Sequence, residues 1–188
     1  LAVAAPMGGG GGEPLLLLAA VLEQVEERPF RPALLWLPSP ASGAGGSSGS
    51  GAAAAGDVLT YSELWARSGA AAAWLLSRIK AGGGRVHPDL GRPVVGIMVE
   101  DGLALPLLVL ASMRAGVPFV PLDIREPPAR LRMLLQDAEP SLVVAQGADA
   151  AACVNEALQE GPAGEGGAAP PPADVAPLGE GKAGPGGG

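Results

Sequence analysis

The sequence predicts an α/β protein with a parallel sheet and flanking helices. Three short and mainly apolar runs, at residues 94–99, 117–122 and 141–146, alternate with two helical patterns. Such runs are typical of strands that are buried on both faces of a parallel sheet. Strands that alternate with helices in this way form βαβ units with right-handed crossovers. We therefore expect this region to form the centre of the fold.

Composition divides the chain into ordered and low-complexity parts. Of the 188 residues, 30 are glycine and 20 are proline, a proportion that indicates disordered stretches. We expect a flexible segment at 1–12, whose glycine run lacks the Gly-Lys-Ser/Thr of a phosphate loop. An ordered portion follows at 13–146, with a low-complexity insertion at 38–56. Residues 147–188 are predicted to form a mostly disordered Gly/Pro/Ala-rich tail.

Charge and hydropathy exclude several classes of protein. The net charge is −7 and there is no basic patch, which argues against a nucleic-acid-binding protein. The longest apolar run, 103–113, is far shorter than the roughly 20 residues of a membrane span, so we expect none. The single cysteine, Cys153, cannot form an internal disulfide and fits a reducing compartment, so we expect the cytoplasm.

A helix and a strand are predicted before the insertion. Residues 14–27 place leucines and valines on one helical face. Ala33–Leu37 has the pattern of a short buried strand, in which we expect Trp36 to belong to the core rather than to a ligand platform. This strand needs partners that occur only later in the chain. Residues 38–56 are therefore interpreted as an insertion within one domain, not as a linker between two.

The segment LTYSEL at 59–64 predicts the start of a helix that continues to about Lys80. Thr60 and Glu63 have the spacing of a capping box, with Leu59 and Leu64 at the positions of a hydrophobic staple. Glu63 could instead be a catalytic acid or base, but the cap explains its position more simply.

Other polar residues also have structural interpretations. His87 has no second ligand or carboxylate at a defined spacing, so we expect a plain surface histidine. Asp101 is placed to cap the next helix, although the pair Glu100–Asp101 could also suggest two-carboxylate chemistry. Arg114 would meet the carboxyl end of that helix dipole, and Gly116 is the expected left-handed cap.

The third repeat of the pattern completes the predicted sheet. Pro128 can open a helix that continues to Ala138, and SLVVAQ at 141–146 is one more buried strand. Residues 148–160 could form a short Ala-rich helix. Beyond residue 161 we expect disorder.

Two segments in this order resemble the first two core motifs of adenylate-forming (AMP-binding) enzymes, such as nonribosomal peptide synthetase adenylation domains and acyl-CoA synthetases. The family motifs are Leu-Thr-Tyr-x-Glu-Leu and Lys-Ala-Gly-x-x-Tyr-x-Pro-Leu-Asp. The matching residues are Leu59, Thr60, Tyr61, Glu63, Leu64, Ala115, Gly116, Val120, Pro121, Leu122 and Asp123. Arg114 replaces the lysine and Phe119 the tyrosine. The resemblance covers residues 14–146 and gives the matched residues structural roles.

The resemblance implies part of an ATP-dependent ligase. Such an enzyme converts a small carboxylic or amino acid to its adenylate and passes the acyl group to a thiol of phosphopantetheine or coenzyme A. ATP and Mg²⁺ are the implied cofactors, and a carrier-protein domain is an implied partner. The family's phosphate loop and catalytic lysine have no match here, since Lys80 and Lys182 do not fit. We therefore assign no catalytic, cofactor-binding or metal-binding residue, and expect the chain to be an inactive fragment.

Two alternatives remain open. A different nucleotide-binding α/β enzyme would need Gly-x-Gly-x-x-Gly after a strand, whereas Glu-Asp-Gly-Leu-Ala-Leu follows Val99. A non-catalytic α/β interaction module with disordered tails needs no motif, so the same pattern is compatible with it.

Overall fold

The computed structural model describes residues 13–37, 57–159 and 174–178. These ranges form five helices and six strands. In chain order they are α1 (Glu13–Glu27), β1 (Pro32–Trp36), β2 (Asp57–Thr60), α2 (Tyr61–Ala81), β3 (Val95–Met98), α3 (Ala104–Ala115), β4 (Phe119–Pro121), α4 (Pro128–Ala138), β5 (Leu142–Gln146), α5 (Gly147–Gln159) and β6 (Asp174–Leu178). The predicted flexible segment at 1–12 lies outside the described residues.

Four of the strands form a parallel sheet in the order β4-β3-β5-β6. The chain moves from β3 to its neighbour β4 through α3, and then through α4 to β5 on the other side of β3. The winding therefore reverses at β3, as in doubly wound α/β folds. This topology confirms the predicted α/β class and its parallel sheet.

Helices cover both faces of this sheet. One set of strand residues shares a core cluster with α2 and α3: Val95, Ile97, Leu142 and Val144. A second set shares a cluster with α4 and α5: Met98, Val143 and Ala145. Because successive side chains of a strand lie on opposite faces, β3 and the first four residues of β5 cannot carry polar side chains at alternate positions. The prediction of strands buried on both faces is thus confirmed for β3 and β5. It is wrong for the run at 117–122, because Phe119 and Val120 of β4 are only half-buried and Pro121 is exposed.

Strands β1 and β2 form a separate antiparallel ribbon, in which Leu34 pairs with Leu59 and Leu35 pairs with Val58. The prediction that Ala33–Leu37 is a buried strand is wrong, because Leu35 is 60% exposed. Within the part of the chain that the structure describes, one face of the ribbon is covered, since β1 does not join the parallel sheet. The predicted later partner of β1 is β2, which follows residues 38–56; those residues lie outside the described ranges.

The fold continues past residue 146. Helix α5 confirms the helix expected at 148–160, and it contacts α4, β5 and β6. The prediction of disorder beyond 161 is wrong for Asp174–Leu178, which pairs parallel with β5. Among the described strands, β5 is the sole neighbour of this strand, and an edge strand is where a sheet tolerates a proline such as Pro177. The predicted tail of 147–188 is thus helical at Gly147–Gln159, and its residues 160–173 and 179–188 lie outside the described ranges.

Candidate functional site

Thr60 and Glu63 form the predicted capping box at the start of α2. The Thr60 N–H donates to Glu63 Oε2 over 2.9 Å, and the Glu63 N–H donates to Thr60 Oγ1 over 3.3 Å. The hydrogen bond from the Thr60 backbone, together with that from its hydroxyl, lowers the pKa of Glu63 below its ordinary value. Each of the two side chains therefore accepts a backbone N–H that would otherwise be unpaired at the start of α2. This arrangement confirms the cap over the acid–base alternative.

The residues around this cap fix the helix start in the fold. Leu59 and Leu64 occupy the two staple positions and are both buried. The N–H of Tyr61 donates to the carbonyl of Arg31 over 3.0 Å, which ties the first residue of α2 to the chain just before β1. The first motif thus joins the ribbon to α2.

The second motif begins with the end of α3. Helix α3 stops at Ala115, and Gly116 adopts the left-handed conformation with φ of 67°. The N–H of Val117 donates to the carbonyl of Ser112 over 3.0 Å, which satisfies one of the last carbonyls of the helix. The predicted left-handed glycine cap is confirmed.

The same motif ends at the carboxyl end of β4. Pro121 is the last residue of that strand, and Leu122 follows it as a buried residue. The N–H of Leu122 donates to the carbonyl of Ile97 over 2.8 Å, so the motif is attached to β3. Asp123 then enters the open space beyond the strands.

Arg114 connects the two motif regions. Its guanidinium lies 3.7 Å from the centroid of the Trp65 ring, and its Nη1 donates to Ser68 Oγ over 2.8 Å and to the Trp65 carbonyl. Gly69 leaves room for it, because a Cβ there would lie 2.9 Å from Nη2. Partial burial lowers the pKa of Arg114, although an arginine keeps its charge at neutral pH. Beyond the expected position at a helix end, Arg114 therefore clamps α3 to α2.

An open cleft of about 710 Å³ lies at the carboxyl ends of β3 and β4. Its apolar lining consists of Trp36, Ile97, Val99, Leu105, Pro121, Leu122, Ile124 and Leu134. Its polar lining consists of Glu100, Asp101, Asp123, Arg125 and Glu126. Doubly wound sheets bind ligands outside the carboxyl ends of their strands, so this cleft is the candidate functional site.

Trp36 belongs to this cleft. The prediction that it is a core residue is wrong, because it is only half-buried and lies outside both core clusters. It pairs with Asp57 at the end of the ribbon and lines the cleft beside β3 and β4. An indole at a cleft wall offers a flat apolar surface to a ligand.

Glu100 and Asp101 follow β3 and also line the cleft. The prediction that Asp101 caps α3 is wrong, because the helix begins at Ala104 and no side chain caps it. Two residues separate Asp101 from the first turn, which is too far for its carboxylate to serve as the N-cap. The N–H of Glu100 instead donates to Gln146 Oε1 over 3.2 Å, linking the ends of β3 and β5.

Most charges on the rim have partners within the chain. Asp123 accepts from the Arg125 side chain, with an ion pair of 2.8 Å, and from the Arg125 N–H over 2.9 Å. The side-chain bonds from Arg125 are the main cause of the lowered pKa of Asp123. The same bonds, then the charges of Asp123 and Asp101, raise the pKa of Arg125. Glu126 pairs with Arg130 over 3.1 Å.

These lining residues do not fit the phosphates of a nucleoside triphosphate. Four carboxylates would repel the phosphates, and Arg125, the lining cation, is already bonded to Asp123. Within residues 13–37, 57–159 and 174–178, no group of three or more His, Cys, Asp or Glu side chains could hold a metal ion. We therefore assign no phosphate-binding or metal-binding role to the described cleft.

His87 is more than a plain surface histidine. It is half-buried; its Nδ1 accepts from the Asp89 N–H over 3.2 Å, and its Nε2 lies 3.2 Å from the Asp137 carbonyl. With Nδ1 accepting, Nε2 carries the proton and donates to Asp137. His87 thus fastens the connector before β3 to the end of α4.

The chain is a doubly wound α/β domain with a candidate ligand cleft at the carboxyl ends of β3 and β4. A profile of the family described as AMP-binding enzyme matches residues 21–176. The chain belongs to the AMP-binding enzyme family, as the two sequence motifs predicted.

Relatives that share this sequence are much larger. Malpinin synthetase of Mortierella alpina is 43% identical over 103 residues, which is 55% of this chain and 1% of that protein. Tyrocidine synthase 3 of Brevibacillus parabrevis is 33% identical over 90 residues, or 48% of this chain and 1% of the relative. The chain therefore spans only a small part of the length of these proteins.

Solved structures share the fold. A protein from Rhodopseudomonas palustris described as a long-chain-fatty-acid CoA ligase aligns with 87% of this chain and 33% of its own, at 20% identity and a TM-score of 0.60. A four-domain nonribosomal peptide synthetase bound to AMP and glycine aligns with 77% of this chain and 8% of its own, at 24% identity and a TM-score of 0.50. At these identities the likeness shows the fold alone.

Proposed function

We propose that this chain is the N-terminal portion of the adenylation domain of a longer, ATP-dependent ligase. The family match over residues 21–176 carries the proposal. The aligned CoA ligase is about three times as long as the aligned part, since the alignment covers 33% of it. In this proposal residues 13–146 supply the N-terminal portion, 38–56 are an insertion within it, and the chain alone is inactive.

The proposed reaction has two steps. A carboxylate oxygen of a small acid or amino acid attacks the α-phosphorus of ATP; the bond to the β-phosphate breaks, and pyrophosphate leaves. A thiol then attacks the acyl carbonyl, loses its proton and expels AMP. Catalysis of this kind needs cations and N–H donors directed at the phosphates. The described cleft lacks free cations of this kind, so we assign the phosphate and Mg²⁺ sites to parts of the enzyme beyond the described residues.

The two motifs have structural tasks in this proposal. The first, Leu59–Leu64, fixes the start of α2, and the second, Ala115–Asp123, ends α3 and sets the position of β4. Arg114 holds the two helices together through Trp65 and Ser68. The motifs therefore position the carboxyl ends of β3 and β4, which we propose face the active site of the complete enzyme.

The substrates and partners follow from the same proposal. The relatives of this chain include synthetases and synthases. We therefore propose a small carboxylic or amino acid as substrate and a carrier-protein domain as the thiol-bearing partner. Coenzyme A is the other acceptor thiol of this class. The cytoplasm remains the expected compartment, on the single free cysteine. Within the described ranges, no helix is long and apolar enough to cross a bilayer.

Exchange of labelled pyrophosphate into ATP tests the proposal. The complete gene product that contains this chain is assayed with a panel of amino acids and acyl acids, and the 188-residue chain is assayed alongside it. We expect acid-dependent exchange by the complete protein and none by the 188-residue chain. Absence of exchange with every acid would count against the ligase, whereas exchange by the chain alone would show that it already contains the phosphate-binding groups.

A chimera gives an independent test of the scaffold role. The segment of Malpinin synthetase that matches this chain over 103 residues is replaced by the corresponding residues of this chain. If the segment is a scaffold, the chimera retains the acid preference of the parent synthetase. A changed acid preference would place substrate recognition within the exchanged residues and contradict the proposed role.

A further inference from the structure

We draw no further inference here: the strongest candidate, the exposed apolar face of the β1–β2 ribbon formed by Leu35, Leu37 and Val58, carries nothing because nothing in the structure shows what covers it.

Discussion

The position of the Arg114 guanidinium depends on the absence of a side chain at Gly69. The guanidinium stacks on Trp65 and bonds to the first turns of α2, and a Cβ at residue 69 would make the guanidinium shift from this position. Lysine, which the family motif has at this position, has neither a planar head to stack on the ring nor a fork of donors. The arginine and the glycine therefore form one structural unit.

A double-mutant cycle measures this dependence. Gly69→Ala should raise the free energy of unfolding by about 1 kcal/mol through helix propensity. In the natural chain the new methyl group also displaces the guanidinium from Trp65, and the lost contact offsets that gain. In an Arg114→Met background the same change should stabilise by about 1 kcal/mol. Urea unfolding of the four proteins gives the coupling free energy.

The control for this cycle is Arg67→Met, which removes an exposed cation from the same helix. Combined with Gly69→Ala it should give additive free energies of unfolding. If Gly69→Ala stabilises the natural chain and the Arg114→Met variant equally, the proposed dependence is wrong.

Glu63 makes the stability of α2 depend on pH. Because the folded pKa lies below the ordinary 4.5, the stabilising contribution is complete above that value. It is lost as the pH falls through the lower folded pKa. Glu63→Gln should therefore reduce the loss of stability on acidification, as measured by urea midpoints at neutral pH and below 4.5.

Thr60→Ala tests the same cap from its other side. It removes the hydroxyl that donates to Glu63 and should cost about 1 kcal/mol at neutral pH. It should also weaken the acid dependence, because one of the two bonds that lower the pKa of Glu63 is gone. Acid profiles of both variants that run parallel to that of the natural chain would contradict the linkage.

At the scale of elements, β3 is packed tightly because its second residue is glycine. A Cβ at Gly96 would lie 3.1 Å from Leu122 Cδ1 and 3.1 Å from Val143 Cγ2. Both neighbours belong to the cluster beneath α4 and α5. The closeness of β3 to this layer thus depends on the absence of a side chain.

Gly96→Val should destabilise the chain by about 2 kcal/mol through overpacking, despite the higher strand propensity of valine. Gly96→Ala should cost less, since its neighbours need to move by only a few tenths of an ångström. Leu122→Ala makes space, so its combination with Gly96→Val should cost less than the sum of the two. Additive costs, measured by chemical denaturation, would mean that the predicted clash is absent.

The elements that the sequence predicted correctly are those with a local cause. The cap at Thr60 needs a hydroxyl and a carboxylate three residues apart, and the turn at Gly116 needs a residue that tolerates positive φ. The strands buried on both faces need unbroken apolar runs. Each of these requirements is present in adjacent residues, so composition and spacing were sufficient.

The errors concern elements whose state depends on distant partners. An apolar run such as ALLWL has the same pattern in a central strand and in a ribbon covered on one face only. Residues 174–178 form strand β6 because they pair with the edge of β5. The pattern of these five residues alone does not indicate a strand. The prediction of Asp101 as a cap was wrong because the chain becomes helical only at Ala104.

At the scale of the whole molecule, the cleft was only partly predictable. The rule that parallel strands place their carboxyl ends together could have brought Glu100, Asp123 and Gln146 to one edge of the sheet. Trp36 could not be assigned to this edge, since its place depends on where the ribbon packs. The pairing of Arg125 with Asp123 also depends on the conformation of the turn after β4.

The sheet with its two helical layers should unfold as one unit. Leu75 and Leu131 are fully buried on opposite faces, and each change to alanine should cost about 2–5 kcal/mol. Because both layers pack on β3 and β5, far-UV circular dichroism and the fluorescence of Trp65 and Trp74 should report one transition in each variant. Two separate transitions in Leu131→Ala, with the tryptophans of α2 still native at the first, would show that the layers are independent.

The pairing of Trp36 with Asp57 has a consequence for the 37–56 connection between them. The entropy of closing such a connection grows only logarithmically, so doubling its length costs about 0.6 kcal/mol. The indole is positioned by the strand pairing, whatever the number of residues that join the two strands. We therefore expect that an affinity tag or fluorescent reporter can be inserted into this connection at little cost, with the cleft left in place.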